Sequence, residues 1–197
     1  MLITPRLILR DFREDDFAAV RAWEERPEVR RYEHHAPTPE QTREQLRWLV
    51  EHAGQSPRTS YRLAITLPGD DTPRGRISLK INWEEIREWE IGWTLHPDHW
   101  GRGYASEAAR AMLELAFTQL NAHRVVAYCN VNNAASVGVM QRIGMRQDAR
   151  LRETRWWNGA WADEYVYAIL ERDWGQAPIS DPKARAGKPP TGAIPPR

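Results

Sequence analysis

The sequence has a single cysteine, Cys129, and only three lysines among its 197 residues. One cysteine cannot form an internal disulfide framework, which is typical of proteins in a reducing compartment. The N-terminal stretch "MLITPRLILRDFREDDF" alternates apolar with charged residues and lacks the continuous apolar run of a signal peptide or membrane span. These absences predict a cytoplasmic protein with no membrane partner.

An excess of one charge is also missing. The 28 basic residues are balanced by 27 acidic ones, for a formal net charge of +1. Nucleic-acid binding usually requires a strong basic excess or a basic face, so no nucleic-acid partner is predicted. The ten tryptophans, which include those of "RWWNGAW" at 155–161, leave base stacking as an alternative. We favour a hairpin in which Trp156, Trp157 and Trp161 pack on a sheet or line a ligand pocket.

The composition predicts one globular domain followed by a tail. Hydrophobic residues make up 41% of the chain, which is enough for a single core, and the patterned part covers residues 1–174. Residues 175–197 contain six prolines and no aromatic residue. Such a segment buries too little apolar surface to offset the entropy of ordering. It is predicted to be a disordered, proline-rich tail.

Apolar periodicity predicts an α/β body. Period-two runs indicate strands at 6–12, 61–67, 75–81, 89–95, 124–130, 146–154 and 163–171. Helical spacing indicates helices at 14–25, 39–53, 104–120 and 133–142, and Thr38 before Pro39 provides the N-cap of the second. The three runs between 61 and 95 favour an antiparallel meander. The helix at 104–120 joins two strands by a crossover, which favours parallel pairing of strand 89–95 with strand 124–130.

A glycine loop, "WGRGYASEA" at 100–108, joins a predicted strand to a predicted helix. A plain turn would explain Gly-x-Gly equally well. A dinucleotide fingerprint needs a third glycine or alanine and a later acid, but Ser106 and Asn130 hold those places, and the lysine of a P-loop is absent. The remaining interpretation is that main-chain N–H groups near 102–105, at a helix N-terminus, face a phosphate-bearing ligand.

Two motifs carry a family resemblance. "EIGWTLHPDHWGRGYASEAARAML" followed by "NVNNAASVGVMQRIGM" resembles the GCN5-related N-acetyltransferase (GNAT) superfamily, and within it the ribosomal-protein N-terminal (RimJ/RimL-like) branch. The resemblance covers residues 1 to about 173. It implies the GNAT fold, a mixed, mostly antiparallel sheet with a splayed parallel strand pair and flanking helices. It further implies that the loop binds the pyrophosphate of acetyl-CoA through Gly101, Arg102, Gly103, Tyr104 and Ala105. Trp100 departs from the Gln or Arg common at that place.

The second motif implies further contacts with acetyl-CoA, at Asn130 and Asn133. Helix capping is the alternative role for both, since asparagine is favoured at helix starts. Ser136 holds a place that this branch associates with protonation of the departing thiolate. Many superfamily members use a tyrosine four residues later, where this chain has Met140. A helix serine bonded to a main-chain carbonyl is the alternative for Ser136.

Glu90 is the candidate general base. Strand alternation in "WEIGW" puts it on one face with Gly92 and Thr94, and family members often carry a glutamate here that removes an amine proton. A solvent-facing strand glutamate is the alternative. Asp163, Glu164 and Tyr165 are second-rank candidates.

No metal site is predicted. His34, His35, His96 and His99 lack further ligands at a recognisable spacing, and Cys129 in an apolar strand is expected to be a buried, inert thiol.

These features together predict an acetyl-CoA-dependent N-acetyltransferase without a metal. Its acceptor is a primary amine, either a protein N-terminal α-amine or a small molecule such as an aminoglycoside or polyamine. The sequence provides no readable code for the acceptor in 14–53 or 155–165, and it leaves a homodimer open. A catalytically silent acyl-CoA-binding module is the alternative function.

Overall fold

The sheet is the centre of the molecule. A computed structural model describes residues 1–32, 37–157 and 159–175. Within them, eight strands form one sheet in the order β1-β2-β3-β4-β5-β6-β8-β7. The strands are β1 (Leu2–Ile3), β2 (Ile8–Asp11), β3 (Ser60–Leu67), β4 (Asp70–Trp83), β5 (Glu88–Leu95), β6 (Arg124–Asn130), β7 (Arg146–Trp157) and β8 (Ala160–Leu170). Among the described strands, β5 and β6 alone pair in parallel.

Five α-helices flank the sheet in the described part of the chain. They are α1 (Phe17–Glu24), α2 (Pro27–Arg30), α3 (Pro39–His52), α4 (Tyr104–Thr118) and α5 (Ala134–Arg142). The predicted cap of α3 is confirmed. Thr38 Oγ1 accepts a hydrogen bond of 3.2 Å from the Gln41 amide, and the Gln41 side chain accepts one of 2.9 Å from the Thr38 amide. This reciprocal capping box satisfies two of the donors that a helix start leaves unpaired.

Both faces of the sheet are covered, because the strands alternate. Leu79 and Ile91 are fully buried on one face, in the same core cluster as Met112 and Leu113 of α4. Ala64 lies on the other face and packs in a second cluster with side chains of α1 and α3, including the fully buried Trp23. Helices therefore lie on both sides of the sheet, and the predicted α/β class is confirmed.

The observed strands and helices differ from the predicted ones mostly in the length of the strands. The strand predicted at 75–81 runs from Asp70 to Trp83, since Leu67 pairs with Asp70 across a tight turn. The strands predicted at 146–154 and 163–171 also extend into a longer hairpin. The two-residue β1 and the four-residue α2 were too short to leave a periodic signal. The strand predicted at 6–12 is the shorter β2, Ile8–Asp11.

Some predictions fall outside the described residues. Nearly all of the predicted tail, residues 176–197, and both His34 and His35 are among them. The predicted hairpin is present, with Trp156 paired to Trp161 and their ring centres 5.3 Å apart in an edge-to-face arrangement. Both rings are more than half exposed and neither lines the cleft beside β5, so for these two the prediction that they pack on the sheet or line a ligand pocket is wrong. None of the described helices has the length and apolar character needed to cross a membrane.

Candidate active site

The parallel strands β5 and β6 separate after three residue pairs. Their pairing ends at Glu90 and Val126, although β5 continues to Leu95 and β6 to Asn130. The outer edge of β5 is paired with β4, and that of β6 with β8. Residues 91–95 and 127–130 therefore face each other with main-chain groups that no strand of the described sheet pairs. A slot that opens away from Glu90 results, and it can accept an extended ligand by strand-like hydrogen bonds.

The glycine loop lies at the open end of this slot. Gly101 has a φ of 72° and Gly103, the N-cap of α4, a φ of 78°, values that disfavour side chains. In the described part of the chain, no acceptor is found for the main-chain N–H groups of 101–106. The space where a Cβ of Gly101 would project is empty within 4 Å. The loop thus offers free donors at a helix N-terminus to an anion, with Arg102 exposed at the rim.

Contacts from distant segments hold the loop. The Trp100 indole donates a hydrogen bond of 2.8 Å to the Leu95 carbonyl, which gives this departure from the family pattern an anchoring role. Arg6 donates one of 2.9 Å to the Arg102 carbonyl and pairs with Glu107 of α4 at 2.6 Å. Thr4 donates to the same carboxylate at 2.7 Å. Sequence reasoning missed Thr4 and Arg6, because no local pattern links them to a loop about a hundred residues away.

Asn130, Asn133 and Ser136 line the cleft where β6 leads into α5. The Asn130 side chain accepts from the Asn132 amide at 2.9 Å, and Asn133 caps α5 by accepting from the Ser136 amide at 3.1 Å. The capping role therefore exists for Asn133, which also lines the cleft. The half-buried Ser136 hydroxyl makes no hydrogen bond to any described residue, so the described part of the chain does not show the alternative of a carbonyl-bonded serine.

Glu90 stands where the strands separate. It lines the cleft and shares a strand face with Gly92 and Thr94, whereas Trp89 and Ile91 are buried in the main core, as the alternation predicts. The Lys80 ammonium lies directly across on β4, 3.2 Å from Oε2 of Glu90. The Glu90 side chain remains 29% exposed, so an incoming amine has access to it. The predicted alternative of a glutamate that simply faces solvent does not fit this position.

The second-rank candidates are separated by strand alternation. Glu164 is buried and lines the cleft, where Arg155 donates to it at 2.6 Å. Asp163 pairs instead with Arg150 at 2.7 Å, and hydrogen bonds from the Glu153 amide and Arg150 lower the pKa of its carboxyl. Tyr165 packs against the main core. Neither Asp163 nor Tyr165 lines the cleft in the described part of the chain.

His99 and Cys129 line the cleft but show no metal-binding arrangement. Among the described residues, no group of three potential ligands comes together. Burial, and then the charges of Arg74 and Arg102, lower the pKa of His99, whose Nδ1 is buried without a partner among the described atoms. Burial, with a smaller effect of Glu164, raises the pKa of Cys129 to about 11. That thiol is protonated at neutral pH, as expected for an inert cysteine.

One cleft of about 1670 Å³ joins the slot, the loop and Glu90. Another wall of the cleft comes from α2, the segment after it and α3, and includes Val29, Tyr32 and Gln45. Tyr32 donates a hydrogen bond of 2.8 Å to the Asn132 carbonyl and so links this wall to the β6–α5 connection. Sequence reasoning also missed the cations Arg62, Arg76 and Lys80 on the floor, although the alternation in "YRLAITL" and "GRISLKI" places them on the polar face.

The separated parallel pair and the glycine loop beside it are features that the sequence resemblance implies, and comparison with known proteins identifies the family. A family model described as an acetyltransferase (GNAT) domain matches residues 6–146. YnaD, an uncharacterised N-acetyltransferase of Bacillus subtilis (strain 168), is 34% identical over 174 residues, which cover 88% of this chain and 98% of the relative. The chain belongs to the GNAT acetyltransferase family.

Solved structures support the same assignment. The crystal structure of a GNAT-family acetyltransferase from Bacillus anthracis matches with a TM-score of 0.76 at 32% identity, covering 87% of this chain and 98% of that one. Spermidine N-acetyltransferase from Vibrio cholerae, in complex with CoA and spermine, matches with a TM-score of 0.74 at 20% identity over 86% of this chain and 98% of that one. The predicted GNAT fold is confirmed, and the protein is an acyltransferase of GNAT type that uses acetyl-CoA.

Proposed function

We propose that this protein transfers the acetyl group of acetyl-CoA to a primary amine at the closed end of the slot between β5 and β6. The observation that carries the proposal is the end of strand pairing at Glu90 and Val126. At that point the chain offers a carboxylate, a slot of unpaired main chain and access from the cleft. These are the requirements for placing an amine against an extended thioester.

The residues present fit acetyl-CoA. Its phosphates would be held by main-chain N–H groups of 101–105 and the side chain of Arg102, over the open space at Gly101. Main chain of 91–95 and 127–130 would pair with the amides of its extended arm, and Asn130 and Asn133 would contact it from the end of β6. When bound, acetyl-CoA supplies a thioester whose C–S bond breaks as the C–N bond to the amine forms.

Proton transfer falls to two side chains of this protein. Glu90 accepts a proton from the amine, directly or through water, and Lys80 holds the carboxylate in place at 3.2 Å. The Ser136 hydroxyl donates a proton to the leaving sulfur and regains one from solvent, to which Glu90 releases the proton of the amine. The Asn133 cap fixes the start of the helix that carries Ser136. A main-chain N–H at the strand separation faces the carbonyl oxygen and stabilises the charge that develops there.

The acceptor is either the α-amine of a protein N-terminus or the amine of a small molecule. The motif resemblance to the RimJ/RimL-like branch supports the former. A spermidine acetyltransferase of the same fold illustrates the latter, although its 20% identity carries no substrate assignment. The wall formed by α2, α3 and the hairpin of β7 and β8 would make the choice.

A thiol-release assay over peptides and small amines tests the proposal. Wild-type protein is expected to release CoA only when both acetyl-CoA and a suitable amine are present, with the acetylated amine detected by mass spectrometry in equal amount. Binding of acetyl-CoA without release for any amine in the panel would instead support a silent acyl-CoA-binding module.

A further inference from the structure

The floor of the cleft beside Glu90 carries three cations. Arg62 of β3 and both Arg76 and Lys80 of β4 line the cleft on the same face of the sheet. Arg62 pairs with Ser78 and Arg76 with Ala64, so the two arginines are diagonal neighbours across the β3–β4 ladder. Side chains in this relation are within reach of each other when they are long. The three cations therefore extend along the floor of the cleft, from Lys80 level with Glu90 to Arg76 level with Thr94.

Arg62 is the cation that the described residues leave uncompensated. Lys80 is paired with Glu90, whereas half-buried Arg62 forms no ion pair within the described ranges and lies over the Trp48 ring at 5.7 Å. Burial, followed by the charge of Arg76, lowers the pKa of Arg62, and Glu90 only partly opposes this. A cation that loses hydration without gaining a counter-ion is costly. An anionic ligand group would relieve that cost.

The position of Arg62 separates this charge from the site for acetyl-CoA. The sheet order puts β3 and β4 on one side of β5 and the slot on the other. Strands lie roughly 5 Å apart, so the Arg62 backbone is about 10 Å from Gly92 in the direction away from the slot. The glycine loop begins only beyond the end of β5. An anion bound by Arg62 therefore comes from the acceptor.

We propose that the acceptor is a small primary amine with a carboxylate or phosphate group, which Arg62 binds while the amine lies at Glu90. This inference rests on the proposed function. A planar guanidinium binds two oxygens of either group, which fixes the acceptor at one end and leaves its amine at the other. Polyamines are disfavoured, because their additional positive charges would meet Arg62.

Matched acceptors test the charge preference. Amino acids and aminoalkyl phosphates are each compared with the uncharged amide or alcohol of the same skeleton, and spermidine is included. We expect kcat/KM to be at least tenfold higher for the best anionic acceptor than for its uncharged counterpart. Comparison of the amino acids with the aminoalkyl phosphates shows whether the site prefers a carboxylate or a phosphate. A preference for uncharged amines or for spermidine would overturn the inference.

Two variants assign the preference to Arg62. Arg62→Gln is expected to raise KM for the anionic acceptor at least tenfold, with kcat and the uncharged counterpart within threefold, and Arg62→Lys to restore part of the loss. Arg43→Gln is the matched control, because Arg43 also stacks on an aromatic ring, Phe17 at 4.1 Å, but lies outside the described cleft lining. Equal losses for both acceptors in folded Arg62→Gln would contradict the assignment.

Binding without turnover distinguishes this inference from the proposed function. The acceptors are titrated into CoA-loaded protein, with tryptophan fluorescence as the readout, since Trp48 lies beside Arg62. If the protein binds anionic amines selectively and Arg62→Gln abolishes this binding, the anion site is supported. Should no thiol be released in the same experiment, the proposed acetyl transfer is contradicted but the anion site is not. Binding with no preference for anionic amines would overturn the inference whatever the turnover.

Discussion

Arg6 and Arg102 are 96 residues apart in the chain, and Nη1 of Arg6 donates a hydrogen bond of 2.9 Å to the Arg102 carbonyl. The same guanidinium pairs with Glu107 and lies 5.1 Å from the centre of the Tyr104 ring. One side chain from the N-terminal segment thus contacts both the glycine loop and the first turn of α4. It fixes the direction in which the loop presents its N–H groups.

Arg6→Ala should therefore weaken acetyl-CoA binding. Charge-assisted hydrogen bonds contribute about 1.5–3 kcal/mol, so a rise in Kd of about tenfold or more is expected by calorimetry. Arg13→Ala is the control, because Arg13 forms an exposed ion pair with Asp71 and is not among the described residues that line the cleft. Equal Kd values for the two variants would exclude a positioning role for Arg6.

Gly103→Ala should separate backbone strain from ligand binding. A side chain at a φ of 78° costs roughly 1–2 kcal/mol of stability, while the added Cβ meets only Arg6 Nη2 at 3.4 Å. Gly69→Ala is matched, since Gly69 has a φ of 81° and open space around it in the β3–β4 turn. Both variants should lose similar stability in urea melts, but only Gly103→Ala should bind acetyl-CoA more weakly. If Gly69→Ala lost acetyl-CoA affinity to the same extent, the loss in Gly103→Ala would not show that the glycine loop binds acetyl-CoA.

Asn133→Ala and Ser136→Ala should affect different properties. Loss of the Asn133 cap should cost about 1 kcal/mol of stability. Ser136→Ala keeps the main-chain donor of that cap and should change stability by less than about 0.5 kcal/mol, yet lower kcat at least tenfold. Urea melts and steady-state kinetics measure the two effects. A Ser136→Ala protein with full kcat would show that another group protonates the sulfur.

Cys129 should resist alkylation in the folded protein. Burial raises the pKa of this thiol to about 11, so roughly one molecule in a thousand carries the thiolate at pH 8. Iodoacetamide is expected to modify the folded protein far more slowly than the urea-unfolded protein, and the rate should rise with pH up to the raised pKa. Labelling of the folded protein at the rate of the unfolded chain at pH 8 would contradict this environment.

Local patterns predict much of the fold and part of the site. Period-two alternation predicts the cleft-facing side of Glu90, and the Thr38–Pro39 signal predicts the start of α3, because both depend on neighbours within a few residues. The end of pairing at Val126 and the contact between Lys80 and Glu90 depend on how separate strands align. The register between strands is set by the whole sheet. The family resemblance therefore implies that β5 and β6 separate, but the sequence alone does not show that they do so after Glu90 and Val126.

The pH dependence of Glu90→Gln turnover tests whether Glu90 is the general base of the reaction. Glutamine keeps the size of the side chain and can still accept a hydrogen bond from Lys80, but it cannot take up a proton at useful pH. General-base assistance is typically worth about a hundredfold or more. Exposed Glu114 on α4 provides the control Glu114→Gln, and Glu164→Gln tests the other carboxylate that lines the cleft.

We predict that Glu90→Gln lowers kcat about a hundredfold near pH 7, leaves the Kd for acetyl-CoA within threefold, and recovers partly as rising pH supplies more neutral amine. Glu114→Gln and Glu164→Gln should remain close to the wild type. If kcat of Glu90→Gln stays within about threefold of the wild-type value from pH 6 to 9, the amine does not lose its proton to Glu90, and Glu90 is not the general base.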